Sequence, residues 1–373
     1  MAPADDVPTP DDVRVTVTER SLPLRSPLGT ATGEIDERPV FLVGLTGAFA
    51  DGSPCRGIGE AAPLPPWTES VEDCRHALAD ARETVATGGA VALDDLPPAA
   101  RHALSLASAD ARARRDGVTL SQALAAATAD GGDPAESVRV NATVGDGSVA
   151  ATVAAAESAV SEGFDCLKCK VGARPVDEDT ERLRAVRDAV GDDVALRADA
   201  NGAWGREEAE RAVDALADVG LEYLEQPVPA ADHEALRALR GRGVAIAVDE
   251  TVNTPASTAE WPDPIEEYAD VAVLKPMALG GPGETVAVAR DLRDRGVDTV
   301  VTTTIDGAVA RTAAVHVAAA VPGGDDRAHG LATGALLERD VVDDDPAPVD
   351  AGRITVPAGP GVAGDAFDGV QNR

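Results

Sequence analysis

The sequence predicts an α/β protein, a (β/α) TIM-type barrel carrying an N-terminal α+β capping domain. Three observations point there. Eight short apolar segments recur from residue 138 onward at roughly 25–30-residue spacing, the repeat of a βα unit. The stretch before them mixes period-two alternation with helical periodicity, and Asp130-Gly-Gly-Asp-Pro134 separates the two regions. The length of 373 residues accommodates a barrel of about 200–250 residues and one smaller unit.

In chain order, alternation at Val13–Leu24 and Val40–Leu45 predicts antiparallel strands. Apolar residues at helical spacing predict helices at Val71–Ala86, Ala99–Arg115 and Leu120–Ala127. Barrel strands are expected at Val138–Val144, Cys166–Val171, Ala195–Asn201, Tyr223–Gln226, Ala245–Glu250, Val271–Pro276, Thr299–Thr304 and His329–Thr333. Helices rich in Ala, Arg and Glu fall between them. The Pro/Gly-rich tail after Asp340 holds one short strand, Arg353–Val356. The chain thus divides into a capping domain at 1–130, a barrel with the active site at 131–340, and a C-terminal segment at 341–373 returning to the cap.

Composition narrows the partners. Sixty-five acids against 33 bases give a formal charge of −32, a field that repels nucleic-acid phosphates and anionic membrane surfaces. The acids are dispersed rather than blocked, as on a solvated, halophilic surface screened by salt. Aromatic residues make up 2%, so Ala, Val and Leu must fill the core. Four cysteines are too few for a disulfide framework, and Cys166 and Cys169 point to opposite faces of a strand, which excludes a C-x-x-C metal site. The acidic N-terminus and the absence of an apolar run of ~18 residues predict a soluble, cytoplasmic protein. A small-molecule carboxylate is the expected partner, and a homo-oligomer is left open.

The chemistry begins with lysine. The chain has only three, Lys168, Lys170 and Lys275, among 33 basic residues. Arginine cannot give up its proton in a protein, whereas lysine can be tuned into a base. Lysines that persist in such a background, all on apolar strands, are candidate chemical groups. In Cys166-Leu-Lys-Cys-Lys170, strand alternation places Lys168 and Lys170 on one face, where mutual repulsion is expected to lower the pKa of one. Three acids follow at the ends of successive strands: Asp199, Glu225 and Asp249. At a barrel mouth these hard oxygen donors suit Mg²⁺ better than zinc. Lys275 closes the set from the next strand. Cations around a metal supply what an enolate needs, a base at the α-carbon and positive charge at the carboxylate.

The set K-x-K, D-x-N, E-Q-P, D-E and a late strand lysine, in this order, resembles the enolase superfamily in its muconate-lactonizing-like subgroup. Gly57–Ser70, Thr302–Gly307 and His329–Gly334 are most similar to the o-succinylbenzoate synthases of that subgroup, although Asp306 and Ala332 depart from the pattern. The resemblance implies Mg²⁺, or Mn²⁺, on Asp199, Glu225 and Asp249, with Lys170 and Lys275 flanking the substrate. It implies that Lys168 lowers the pKa of Lys170 and contacts the carboxylate, and that Asn201 and Glu250 hold these groups in place. Gly57–Ser70 would be a capping loop over the substrate, with Arg25 and Thr30 helping to close it. The implied reaction is a syn dehydration in menaquinone biosynthesis. A dipeptide epimerase or a muconate cycloisomerase would use the same site. A non-catalytic acidic scaffold barrel would survive loss of Lys170. His329 is expected to be a packed, hydrogen-bonded imidazole.

Overall fold

The structure, a computed structural model, describes residues 13–30, 33–127, 132–253, 264–321, 323 and 327–370. The acidic stretch 1–12, the Asp130-Gly131 half of the expected break and the Thr30 side chain lie outside the described part. The first sheet is antiparallel, in the order β1 (Arg14–Thr30), β2 (Gly33–Ala48), β3 (Pro54–Ala61). Helices at Val71–Ala86, Pro98–Asp116 and Leu120–Ala126 follow. The first starts where the Ser70 side chain accepts from the Asp73 N–H at 3.1 Å, with Glu72 and Asp73 at the positive end of the helix dipole. The third opens with a capping box of Thr119 and Gln122.

β3 shortens the expected capping loop: Gly57–Ala61 is regular strand, and only residues 62–70 form turn and loop. Its glycines exist for packing rather than for turning. A Cβ on Gly57 or Gly59 would stand 2.0 or 1.9 Å from the carbonyl oxygens of Ala107 and Ala103 on the Pro98–Asp116 helix. The cap core of Phe41, Val43, Leu45, Leu78 and Leu104 is completed by Met277, Ala310 and Leu337 from the far side of the chain. Cap and barrel therefore share apolar surface.

The second sheet is parallel throughout: β5 (Ala142–Val144), β6 (Cys166–Lys170), β7 (Ala195–Asp199), β8 (Leu221–Glu225), β9 (Ile246–Val248), β10 (Val271–Leu274) and β11 (Asp298–Val301), each beside its chain neighbour. The expected eighth strand is reduced to two bridges, at His329 and Gly330. His329 N–H donates to Arg139 O (2.8 Å), its own carbonyl accepts from Asn141 (2.9 Å), and Gly330 N–H donates to Val301 O (2.9 Å). These bonds join the first and last strands and close the ring. The chain then turns away into a 3-10 turn at Gly334–Leu336. His329 is buried, its Nδ1 accepting from Val301 N–H at 2.9 Å, as a packed imidazole should.

The predicted Val138–Val144 strand is split. β4 (Ser137–Arg139) pairs antiparallel with β13 (Arg353–Thr355), which pairs with β12 (Val349–Asp350), whereas β5 joins the barrel. Alternation divides each barrel strand between two cores. Leu167, Cys169, Leu196 and Leu224 face the surrounding helices, while Tyr223, Ala247, Val271, Val273 and Val300 fill the interior. Arg197 lies over the Tyr223 ring at 4.6 Å and donates to Glu222 at 2.6 Å, plugging the barrel below the mouth. All four cysteines are free and buried.

Candidate active site

The strand exits bring the predicted residues together in two groups. In the first, Lys170, Asp199 and Glu225 stand at one level across β6, β7 and β8. Lys168 Nζ donates to both Glu225 carboxylate oxygens, at 3.0 and 3.2 Å, and lies 3.0 Å from Asp199 Oδ2. Lys170 Nζ donates to Asp199 Oδ2 at 2.6 Å and to Asn201 Oδ1 at 2.7 Å. In the second group, Lys275 Nζ contacts Asp249 Oδ1 and lies 5.0 Å from the centre of the Trp67 ring. Asn201 Nδ2, donating to Glu250 Oε1 at 3.2 Å, links the groups.

The lysines differ in access. The Lys170 side chain is 36% exposed, against 14% for Lys168 and 7% for Lys275. Lys170 is the most open of the three, Lys168 is partly covered and Lys275 is buried.

Electrostatics fixes the charge of Lys168. Burial works against the Lys168 ammonium, but the Asp199 and Glu225 carboxylates outweigh it and hold the pKa well above the ordinary lysine value. Burial also opposes the Asp199 anion, which Lys168 and Lys170 nevertheless hold far below the ordinary carboxylate range. Glu225 is pushed up to about 7 by burial and then by Asp199, and Glu250 to about 7 by burial and then by Asp249.

Asp199, Glu225, Asp249 and Glu250 are four acids against three ammonium groups. Glu250 Oε2 is buried without a hydrogen-bond partner. An unbalanced, oxygen-only donor set with an orphaned carboxylate oxygen fits a hard divalent cation. As placed, no three His, Cys, Asp or Glu side chains among the described residues stand close enough to hold a metal ion, and Lys168 bridges two of the carboxylates. The Lys168 amine thus stands between two carboxylates that would hold a cation.

Sequence reading missed the residues that aim these groups. Gln226 Oε1 accepts from the backbone N–H groups of Asp249 (3.0 Å) and Thr251 (3.2 Å). Asn253 Nδ2 donates to Asp249 Oδ1 at 2.8 Å, while its Oδ1 accepts from Lys275 N–H at 2.8 Å, so one amide positions a carboxylate and a lysine. Both are fully buried polar side chains, and a polar residue beside an apolar strand was the available signal. Trp67 arrives from the cap, its indole N–H buried and unpartnered, within the Gly57–Ser70 stretch expected to cover the substrate.

Arg25 Nε donates to Ala335 O at 3.1 Å, across the hairpin toward residues 334–338. A cleft of about 710 Å³ opens beside it, lined by Arg20, Arg25, Arg311, Glu338 and Asp340. None of the lysines or their carboxylates lines this cleft, and Arg311 is spent on Asp340 (2.9 Å) and Asp345 (2.6 Å), so the chemistry belongs to the strand exits. No helix among the described residues is long and apolar enough to cross a membrane.

Comparison with known proteins identifies the family. The model of the enolase C-terminal domain-like family matches residues 151–365. The chain is 31% identical over 225 residues to a chloromuconate cycloisomerase of Delftia acidovorans, covering 60% of this chain and 59% of that protein. It is 41% identical over 219 residues to an o-succinylbenzoate synthase of Mycobacterium tuberculosis, covering 57% and 62%. The matched stretch thus spans less than two thirds of these relatives. A dipeptide epimerase of Methylococcus capsulatus, solved with Mg and the dipeptide L-Arg-D-Lys, superposes with TM-score 0.78 at 27% identity, over 94% of this chain and 99% of that one.

Proposed function

The chain belongs to the enolase superfamily, and on that premise we propose that it is a divalent-metal lyase, an o-succinylbenzoate synthase. It would dehydrate 2-succinyl-6-hydroxy-2,4-cyclohexadiene-1-carboxylate to 2-succinylbenzoate in menaquinone biosynthesis. The observation that carries the reading is the asymmetry of the lysines. Lys170 is the accessible amine, whereas Lys275 is buried against Asp249 beneath Trp67. Elimination on one face needs one mobile proton carrier and fixed cations, whereas epimerisation needs two carriers on opposite faces.

Asp199, Glu225 and Asp249 would hold Mg²⁺, the ion present in the Methylococcus epimerase complex. A bound ion would supply positive charge where the substrate carboxylate gains its second negative charge. Lys170, in its neutral form, takes the proton from the carbon beside the carboxylate. Lys168 and Lys275 are fixed positive charges around the enolate. Lys170 then returns the proton to the departing hydroxyl, so that a C–H and a C–O bond are replaced by a C=C bond and water. Asn201, Gln226 and Asn253 keep the donors aimed.

A dipeptide epimerase is the second reading, favoured by likeness to the Methylococcus structure. Such an enzyme must pair a substrate ammonium with an acid. The last strand exit, Leu331-Ala332-Thr333-Gly334, carries none, and Asp340 and Asp345 are paired with Arg311. The test is to incubate the enzyme with Mg²⁺ in high salt and the cyclohexadiene carboxylate, following the aromatic product by absorbance. A dipeptide panel scored by α-proton exchange runs in parallel. Turnover of dipeptides alone would overturn the synthase reading.

A further inference from the structure

Four non-glycine residues among those described have positive φ: Asn201 (45°), Gln226 (39°), Ile305 (62°) and Ala351 (46°). Only Ile305 is β-branched, and left-handed backbone there is a true outlier that persists only where the surroundings over-determine it. Those surroundings come from the cap. Arg38 on β2 is 2% exposed, and its Nε donates to Ile305 O at 3.2 Å. Its Nη1 and Nη2 donate to Pro63 O (3.0 Å) and Ala62 O (2.9 Å), which ties the loop after β3 to the same cation. The Ile305 side chain packs on the cap core. Glu60, buried on β3, accepts from Gly307 N–H at 2.6 Å and from Ala310 N–H at 3.3 Å, at the start of the Ala308–Ala320 helix. A Cβ on Gly307 would stand 2.8 Å from a Glu60 oxygen, so that position must be glycine for the grip to form.

The other side of this loop faces the site. Thr302 N–H donates to Leu274 O at 2.8 Å, one residue before Lys275, and Thr303 Oγ1 shares a 2.8 Å hydrogen bond with Thr333 Oγ1. Asp306 Oδ1 accepts from Thr304 N–H at 3.1 Å and Thr304 Oγ1 at 2.5 Å, closing the turn. The loop is short and bonded at both edges, so a displacement at Ile305 reaches the wall beside Lys275.

We propose that Arg38 and Glu60 are positioning residues for the site. By gripping Ile305 and Gly307, the docked cap imposes on the β11 exit loop the shape that walls the substrate space beside Lys275. The proposal rests on the reading of the lysine cluster as the catalytic site.

The test compares full-length R38M, E60A and E60Q with the parent chain. Backbone hydrogen exchange, read by mass spectrometry, needs no substrate. In R38M and E60A, residues 303–310 exchange about tenfold faster while the exits of β6, β7 and β8 are unchanged. E60Q keeps an acceptor for Gly307 and stays close to the parent. In turnover of the cyclohexadiene carboxylate, kcat/KM falls by about ten- to a hundredfold in R38M and E60A, and E60Q retains it. Glycine needs no grip to adopt φ near 60°, so R38M/I305G loses less than the two single losses combined. Should R38M not fold, R38K, which cannot span all three carbonyls, takes its place. Exchange that is unchanged, or faster everywhere alike, overturns the proposal, as does a simple multiplication of losses in the double variant. If the parent chain does not turn over the substrate, the functional reading fails while the exchange measurement still decides the positioning claim.

Discussion

Replacing Glu60 with glutamine is expected to stabilise the protein at alkaline pH and leave it nearly unchanged at pH 5. Glu60 is pushed from 4.5 up to about 8 by burial and then by Asp306 and Asp340, against the two N–H bonds from Ala310 and Gly307 that favour its anion. The charged groups around it come from several elements: Arg38 on β2, Asp306 before the Ala308–Ala320 helix, and Asp340, which is itself bound to Arg311. His102, on the Pro98–Asp116 helix, meets the Glu60 carbonyl at 2.8 Å. Below pH 4.5 the carboxyl is protonated in both folded and unfolded chains and contributes nothing. Between 4.5 and 8 the unfolded chain releases the proton and the folded chain keeps it, so stability falls as pH rises, then levels above 8. At about 1.4 kcal/mol per pH unit, the parent loses roughly 4 kcal/mol relative to E60Q between pH 5 and 8. Relaxation and water entry make that an upper figure. Urea unfolding at fixed high salt, from pH 5 to 9, measures it as the difference between the two profiles. Parallel profiles would refute the claim that Glu60 stays protonated in the fold.

Three further outcomes can be checked. Lys170→Ala should keep the fold by circular dichroism and lower solvent-deuterium exchange at the substrate α-carbon by about a thousandfold. Mg²⁺ at a hundred times its Kd should stabilise the parent chain by about 2.7 kcal/mol, seen as a raised thermal midpoint. Asp249→Asn should abolish that rise, and a chelator should reverse it. Gly59→Ala, whose Cβ would stand 1.9 Å from the Ala103 carbonyl, should cost roughly 3 kcal/mol in urea unfolding through separation of β3 from its helix. An unchanged midpoint would mean that the helix is free to move away.

The parts of the fold legible in the sequence are those fixed by local periodicity. The Val71–Ala86 helix has the predicted limits because its apolar spacing begins directly after the Ser70 cap. Lys168, Lys170, Asp199 and Glu225 stood out because charge interrupts apolar strands there and alternation fixes the side on which it falls. β3 was hidden because Gly57–Ser70 reads as one loop until the helix that Gly57 and Gly59 admit is known. The eighth strand was overestimated, since a ring can be closed by His329 and Gly330 alone. Pairing escaped in the same way. Strand alternation shows that two lysines share a side but not that Asp199 and Glu225 stand within 3.0 Å of Lys168, which keeps its pKa high. Arg38 acts across hundreds of residues of chain and leaves no local trace.

The scarcity of lysine has a practical consequence. An amine-reactive ester or aldehyde finds, besides the chain's terminal amine, one well-exposed target in the whole molecule, Lys170, whose two fellows are 14% and 7% exposed. Coupling the protein to a surface through its amines would consume the proposed base, whereas a fluorescent acyl label at limiting dose would report on access to the strand exits.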